Sequence, residues 1–177
     1  MKIEITEKLR IPEGVTVNIE PHSIKAKGPK GENSKKLFHP RVKIEKNEDF
    51  IILNAKKATK NEKTILNTIK AHIRNLIHGV KEGYEYELKI CSGHFPMNVS
   101  IQGDELIIKN FFGEKKPRKT KLPKDVEVKV EGDIIKVKGI DIDAVSQTAS
   151  KIELTTRRTG FDRRVYQDGI WIIKKLK

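Results

Sequence analysis

Cysteine is nearly missing from this chain. Cys91 stands alone among 177 residues, so no disulfide framework can form within the chain, and a reducing cytoplasm is the expected setting. No apolar run approaches the roughly 20 residues that span a bilayer. The stretch from Met1 to Glu7 has no signal-peptide core, so no membrane partner is expected. Aromatic residues are only 6% of the chain, and 24 acids face 37 lysines and arginines. G-x-x-x-x-G-K-[ST], G-x-G-x-x-G and G-x-S-x-G are all absent, which excludes the common phosphate cradles and the nucleophile elbow. No histidine stands beside a nucleophile with an orienting acid. The acids are spread over strand faces and helix caps, with no paired carboxylates. No catalytic residue, cofactor or small-molecule substrate is expected, and the chain does not read as an enzyme.

Metal sites are wanting as well. Cys91-x-x-His94 is half a zinc site with no second pair to complete it. His72 and His78 lie at the edge of an apolar helical stripe, without a carboxylate or cysteine at ligand spacing. They read as structural or solvated, and no metal is expected.

Positive charge and periodic segments are what the chain does have. The net charge is +13, the pI about 9.7, and charged and apolar residues make up 34% and 36%. That balance suits a soluble globular protein with a polyanionic partner, nucleic acid before others. Abundant Lys, Glu and Ile with scarce Gln lean towards a thermophile. The length accommodates two domains of about 85 to 95 residues.

One stretch occurs twice. Ile11 to Gly28 aligns without a gap on Leu122 to Gly139, with Pro12, Val15, Val17, Glu20, Ile24, Lys25, Lys27 and Gly28 matched by identical residues. In both copies alternating apolar positions make a half-buried strand, a turn follows, and a second alternating strand returns. Each is a hairpin opened by a proline, which a strand start tolerates. A hairpin needs a partner for its apolar face, and each copy has a helical pattern downstream. Two related hairpin-plus-helix domains follow, 1–81 and 82–177, joined at Gly79–Gly83, with Val15 and Val17 buried like Val126 and Val128.

Thr59-x-x-Glu62 is a capping box for the first helix. Ile65, Leu66, Ile69, Ile73, Leu76, Ile77 and Val80 form its stripe, and Gly79 is its expected stop. Asp141 caps the second helix, whose stripe is Ile142, Val145, Ala149 and Ile152 and which ends near Thr155–Gly160. The tail reads as two short strands around Asp168-Gly169. Gly28-Pro-Lys-Gly31 spells the G-x-x-G of KH domains, but strand patterns flank it where a KH loop joins helices.

Two basic tracts stand out. Lys115, Lys116, Arg118, Lys119 and Lys121 fall within seven positions that hold no acid. Arg157, Arg158, Arg163 and Arg164 flank Gly160, so five of the eight arginines lie in the two tracts. Most charge runs are merely solvated surface. Here the preference for Arg and the neighbouring Phe111, Phe112, Phe161 and Tyr166 point to RNA, because a guanidinium fork suits phosphate and aromatic rings stack on bases. Arg157-Arg158 is expected to end the second helix and Arg163-Arg164 to enter the following strand, placing both pairs on one edge of the second domain.

The chain resembles the archaeal and eukaryotic branch of the large-subunit ribosomal protein six family. The match rests on Ile11-Pro-Glu-Gly-Val, Ala26-Lys-Gly-Pro-Lys-Gly31, His94-Phe-Pro-Met97, Asn110-Phe-Phe-Gly-Glu-Lys115 and Arg163-Arg-Val-Tyr-Gln-Asp-Gly-Ile-Trp-Ile172. In order these cover nearly the whole chain, and the last two are the most specific. Tyr166, Phe112 and Trp171 stand where the family more often has Phe, Leu and Tyr, which keeps the aromatic or apolar character. The resemblance implies a duplicated α+β fold, each half a mainly antiparallel sheet packed on one helix, with no catalysis. It implies binding of large-subunit rRNA, mostly by the second domain. The expected place is near the sarcin–ricin loop and the stalk base, with neighbouring ribosomal proteins and translation factors close by. Its contact candidates are His94 in the loop from Gly93 to Pro96, Lys115 to Arg118, and Arg157 to Arg164. The alternative is a free-standing RNA-binding or chaperone-like protein that visits RNA transiently.

Overall fold

A computed structural model describes residues 3–47, 49–162 and 164–176. The chain divides into two compact units, 1–83 and 84–177. The first runs β1 (Ile3–Arg10), β2 (Thr16–Ile19), β3 (Ser23–Gly28), β4 (Gly31–Lys36), β5 (Lys43–Lys46), β6 (Phe50–Ala58) and α1 (Lys60–Lys81). It holds two antiparallel three-stranded sheets, β2-β3-β4 and β1-β6-β5. The alternation of each strand decides its inner face: Val17, Ile24 and Ala26 in one sheet, Ile51, Leu53 and Ala55 in the other, all buried. Against these, α1 lays down Leu66, Ile69, Ile73, Leu76, Ile77 and Val80.

Both ends of α1 have physical causes. At the start, the Glu62 carboxylate accepts the N–H and the hydroxyl of Thr59, while its other oxygen takes Arg41 Nη1 at 2.5 Å. The Thr59 hydroxyl, the Thr59 N–H and Arg41, in that order, pull the Glu62 pKa down to about 2. At the far end the expectation from sequence is corrected. Gly79 lies inside the helix and is buried. The stop is Gly83, left-handed at φ +80°, after Glu82 has closed a last hydrogen bond to His78.

The second unit runs β7 (Tyr84–Cys91), β8 (Asn98–Gln102), β9 (Glu105–Lys109), a 3₁₀ turn at Phe111–Gly113, β10 (Arg118–Lys121), β11 (Val126–Glu131), β12 (Ile134–Gly139), α2 (Ile142–Thr155) and β13 (Gly169–Leu176). Its sheets are β10-β9-β8 and β11-β12-β7-β13, again antiparallel. Helix α2 packs on β7, β12 and β13 and reaches β10. Leu88, Leu106, Ile108, Ile135, Val145, Ile152 and Ile170 fill the core between them.

The α+β fold is duplicated, but in a different register from the one the repeated stretch suggests. Both units follow one order: a lone strand, a three-stranded meander, a two-stranded hairpin, a helix. So β1 answers to β7, β2-β3-β4 to β8-β9-β10, β5-β6 to β11-β12, and α1 to α2. The repeated stretches are β2-β3 and β11-β12, which are not counterparts. Both are proline-opened hairpins with one face on a core, a demand that accounts for their shared apolar alternation. Even their closing glycines serve different ends of the helices. A Cβ on Gly28 would meet the Val80 carbonyl oxygen at 2.6 Å, near the end of α1. One on Gly139 would meet Val145 Cγ2 at 2.7 Å, in the first turns of α2. Val15, Val17 and Val126 are buried, whereas Val128, on the sheet's edge strand, is half-buried against the core of the second unit.

One further expectation from the sequence is corrected. The tail forms one strand, β13; Arg164 and Val165 lie in a turn, and no second strand appears among the described residues before Gly169. Gly28-Pro-Lys-Gly31 is the two-residue turn of the β3-β4 hairpin, where Lys30 N–H reaches the Val80 carbonyl at 3.0 Å. Among the described residues no helix is long and apolar enough to cross a membrane, and no cluster of His, Cys, Asp and Glu is arranged to hold a metal.

Candidate nucleic-acid interface

Three loops of the second unit are tied together by two side chains, Asp168 and Asn110. The loops are the β7-β8 loop, the segment after β9, and the connection from α2 to β13. Asp168 Oδ1 accepts the N–H of Gly93 at 2.6 Å and of His94 at 2.9 Å. Its Oδ2 accepts His94 Nδ1–H at 2.6 Å. Burial pushes the carboxyl up. The backbone N–H of His94, its imidazole and the N–H of Gly93 together outweigh that and hold it below the ordinary 3.8. Asp168 thus ties the His94 loop to the start of β13. Asn110 Nδ2 donates to the Pro96 carbonyl at 3.0 Å and joins the segment after β9 to the same loop.

Phe111 and Phe112 follow Asn110 with opposite fates. Phe111 is buried in the core. Phe112 takes φ +49°, a left-handed backbone that a bulky residue seldom adopts. Its ring stacks with His94 at 6.2 Å and meets Phe161 at 5.9 Å and Tyr166 at 6.1 Å. Tyr166 lies 5.1 Å from both His94 and Phe161. Arg158 covers the cluster, its guanidinium 3.9 Å from the Phe161 ring centre and 4.9 Å from that of Phe112.

The basic tracts are divided by the fold. Residues 118–121 are strand β10, so their side chains alternate. Arg118 and Thr120 turn inward, Lys119 and Lys121 outward. Arg118 departs from its expected place among free surface cations. It forms a bidentate pair with Glu114 at 2.8 and 2.6 Å and lies over the Phe111 ring at 4.4 Å. It also donates to the carbonyls of Thr155 at 2.7 Å and Arg157 at 3.3 Å. Helix α2 has no basic residue in its last turn. Arg118, brought from strand β10, satisfies the carbonyl of the helix's last residue, Thr155, and opposes the helix dipole. The same pair lowers the Glu114 pKa.

Lys119 reaches Glu105 at 3.3 Å. Arg164 sits in a turn and not in a strand, held by Asp162 at 2.8 Å while staying exposed. Arg163 lies outside the described residues. Lys115, Lys116, Lys121 and Arg157 are exposed and have no acidic partner among the described residues. The tertiary structure therefore brings His94, Arg157 and Arg158 to the aromatic cluster and spends Arg118 on the helix. Asp168, which the sequence reading left as a turn residue, is the clamp. Nothing local could have revealed it, because its partners are about 75 positions away.

A groove of about 330 Å³ opens beside the cluster, lined among others by Phe112, Glu153, Arg157, Arg158, Phe161 and Trp171. The whole arrangement, exposed cations around aromatic rings, can hold phosphate oxygens and stack planar groups.

Comparison with known proteins agrees with the topology. The family model for ribosomal protein L6 matches residues 11–83 and again 95–169. The two matches begin shortly before β2 and β8, which is the register of the element order. The chain is 43% identical over 172 residues to large ribosomal subunit protein uL6 of Methanosarcina mazei, covering 97% of this chain and 98% of that one. It is 44% identical over 174 residues to uL6 of Sulfurisphaera tokodaii, covering 98% and 94%. With uL6 of Methanothrix thermoacetophila the identity is 41% over 172 residues, covering 97% and 98%.

Proposed function

The chain belongs to the ribosomal protein L6 family, and from that premise we propose that it is a structural, non-catalytic component of the large subunit of the cytoplasmic ribosome. It binds large-subunit rRNA mainly through its second unit. Its seat is near the sarcin–ricin loop and the stalk base, beside neighbouring ribosomal proteins and the translation-factor site. One observation supports the choice of unit: the loops tied together by Asp168 and Asn110 carry Arg157, Lys115 and Lys116 without internal anions, next to an Arg158-aromatic cluster. Such cations position a protein on the phosphate backbone, while rings supply stacking.

Sedimentation decides between a resident and a visitor. The tagged chain is expected to stay with large subunits through a high-salt wash and a sucrose cushion. Recovery at the top of the gradient would favour the free-standing RNA-binding alternative. For location, a Lys116→Cys variant in a Cys91→Ser background carries a tethered iron chelate that cleaves nearby rRNA. Cuts are expected in the sarcin–ricin loop and at the stalk base. Cuts confined to other helices would remove that placement and leave the ribosomal role.

A further inference from the structure

The groove beside the aromatic cluster has a chemistry that phosphate binding does not explain. Phe161 and Tyr166 are 39% and 37% exposed, and Leu154, on the same groove, is 55% exposed. Phe161 and Tyr166 meet edge to face at 90°, leaving ring surface open. The Arg158 guanidinium lies close over Phe161, as a flat cation that itself stacks on bases. The volume of about 330 Å³ is at the small end of the roughly 300–1,000 Å³ that enclose compact ligands. It suits one planar group and excludes a duplex. The lining also includes Glu153, whose Oε1 accepts the Ile172 N–H at 3.2 Å and whose other oxygen is uncommitted among the described residues. A carboxylate repels phosphate but accepts a hydrogen bond from an exocyclic amine. Phe112 holds its central place on a left-handed backbone, the kind of local strain that persists where surrounding structure over-determines a functional position.

We propose that this groove is a seat for one unpaired nucleobase, flipped out of an RNA single strand or bulge and stacked on Phe161 and Arg158. Its flanking phosphate lies on Arg157. Glu153 favours bases that carry an amino group, so adenine or cytosine is preferred to uracil. The inference rests on the rRNA-binding reading and adds to it how a nucleotide is held.

Trp171 is the chain's single tryptophan and lines the groove, so it reports occupancy without a label. The full-length protein is titrated with a single-stranded adenosine hexanucleotide, the uridine hexanucleotide and heparin, a polyanion without bases. The expected result is saturable quenching of Trp171 by the adenosine strand, weaker quenching by the uridine strand and none by heparin. Phe161→Ala should abolish the quenching and weaken binding of the adenosine strand about tenfold, the ordinary effect of losing one stacked base. Its salt dependence should not change. Arg158→Gln should weaken the quenching as well, and circular dichroism checks that both variants fold. Quenching by heparin equal to that by RNA, or a Phe161→Ala protein that binds and quenches like the parent, overturns the seat. So does an adenosine strand that fails to bind. Large-subunit rRNA is titrated in parallel. If it binds with steep salt dependence while the hexanucleotide result is negative, only the seat fails. If neither binds, the rRNA reading fails too.

Discussion

Asp168 shows how one side chain can set the shape of a surface. Both of its oxygens are engaged, with two backbone N–H groups and an imidazole. Because its folded pKa lies below the ordinary 3.8, the sign is that of a paired carboxylate: the stabilisation is present above about pH 4 and is lost as the pH falls through the depressed value. Asp168→Asn keeps the shape but removes the charge. At pH 7 it should cost about 1.5–3 kcal/mol, the usual loss for hydrogen bonds to a charged group. Thermal melts of parent and variant between pH 2 and pH 7 check this. The gap between them should close towards the acid end. A gap that stays constant across the range would show that the charge of Asp168 contributes nothing.

Between elements, the decisive contacts are the two glycines where a strand end meets a helix. Alanine at Gly28 would press on the Val80 carbonyl, part of the helix backbone, and alanine at Gly139 on a Val145 methyl group. Overpacking of this kind costs about 1–3 kcal/mol. The backbone contact should be the dearer, since relief requires moving the end of α1 and the Lys30 hydrogen bond with it. Val145 cannot easily rotate away, because a β-branched side chain in a helix has one strongly preferred rotamer. The expectation is therefore asymmetric. Val145→Ala should recover part of the loss from Gly139→Ala in a double-mutant cycle by urea denaturation. Val80→Ala should recover a smaller share of the loss from Gly28→Ala, because it relieves only the Cγ2 contact at 3.1 Å and leaves the carbonyl oxygen at 2.6 Å. Equal coupling in the two cycles would mean that the glycines do the same work after all.

At the scale of the molecule, a net charge of +13 makes affinity for any polyanion salt-dependent, but only cations that displace counterions on the RNA contribute to the slope. Lys115, Lys116 and Arg157 are free to do so; Arg118 is committed to Glu114 and the end of α2. Changing Lys115, Lys116 and Arg157 together to Gln should flatten the log–log dependence of rRNA affinity on salt by about two units, at roughly 0.7–0.9 per lost phosphate contact. Filter binding at several salt concentrations measures it. An unchanged slope would place the phosphate contacts elsewhere on the chain.

The chain's local patterns were sufficient for its composition class, the capping box at Thr59, the helix stripes and the hairpins. Each of these is written within a few residues, where period, cap and turn chemistry act. They were also sufficient for the duplication, though not for its register: β2-β3 and β11-β12 share the apolar alternation of a proline-opened hairpin with one buried face, but they are not counterparts. Only the tertiary structure decided which hairpins correspond, that Arg118 caps a helix, and that Asp168 and Asn110 tie three loops together beside Phe112. Those pairings join residues distant in sequence. A strand's alternation records that one face is buried and the other wet, and it carries no information about which distant partner does the burying.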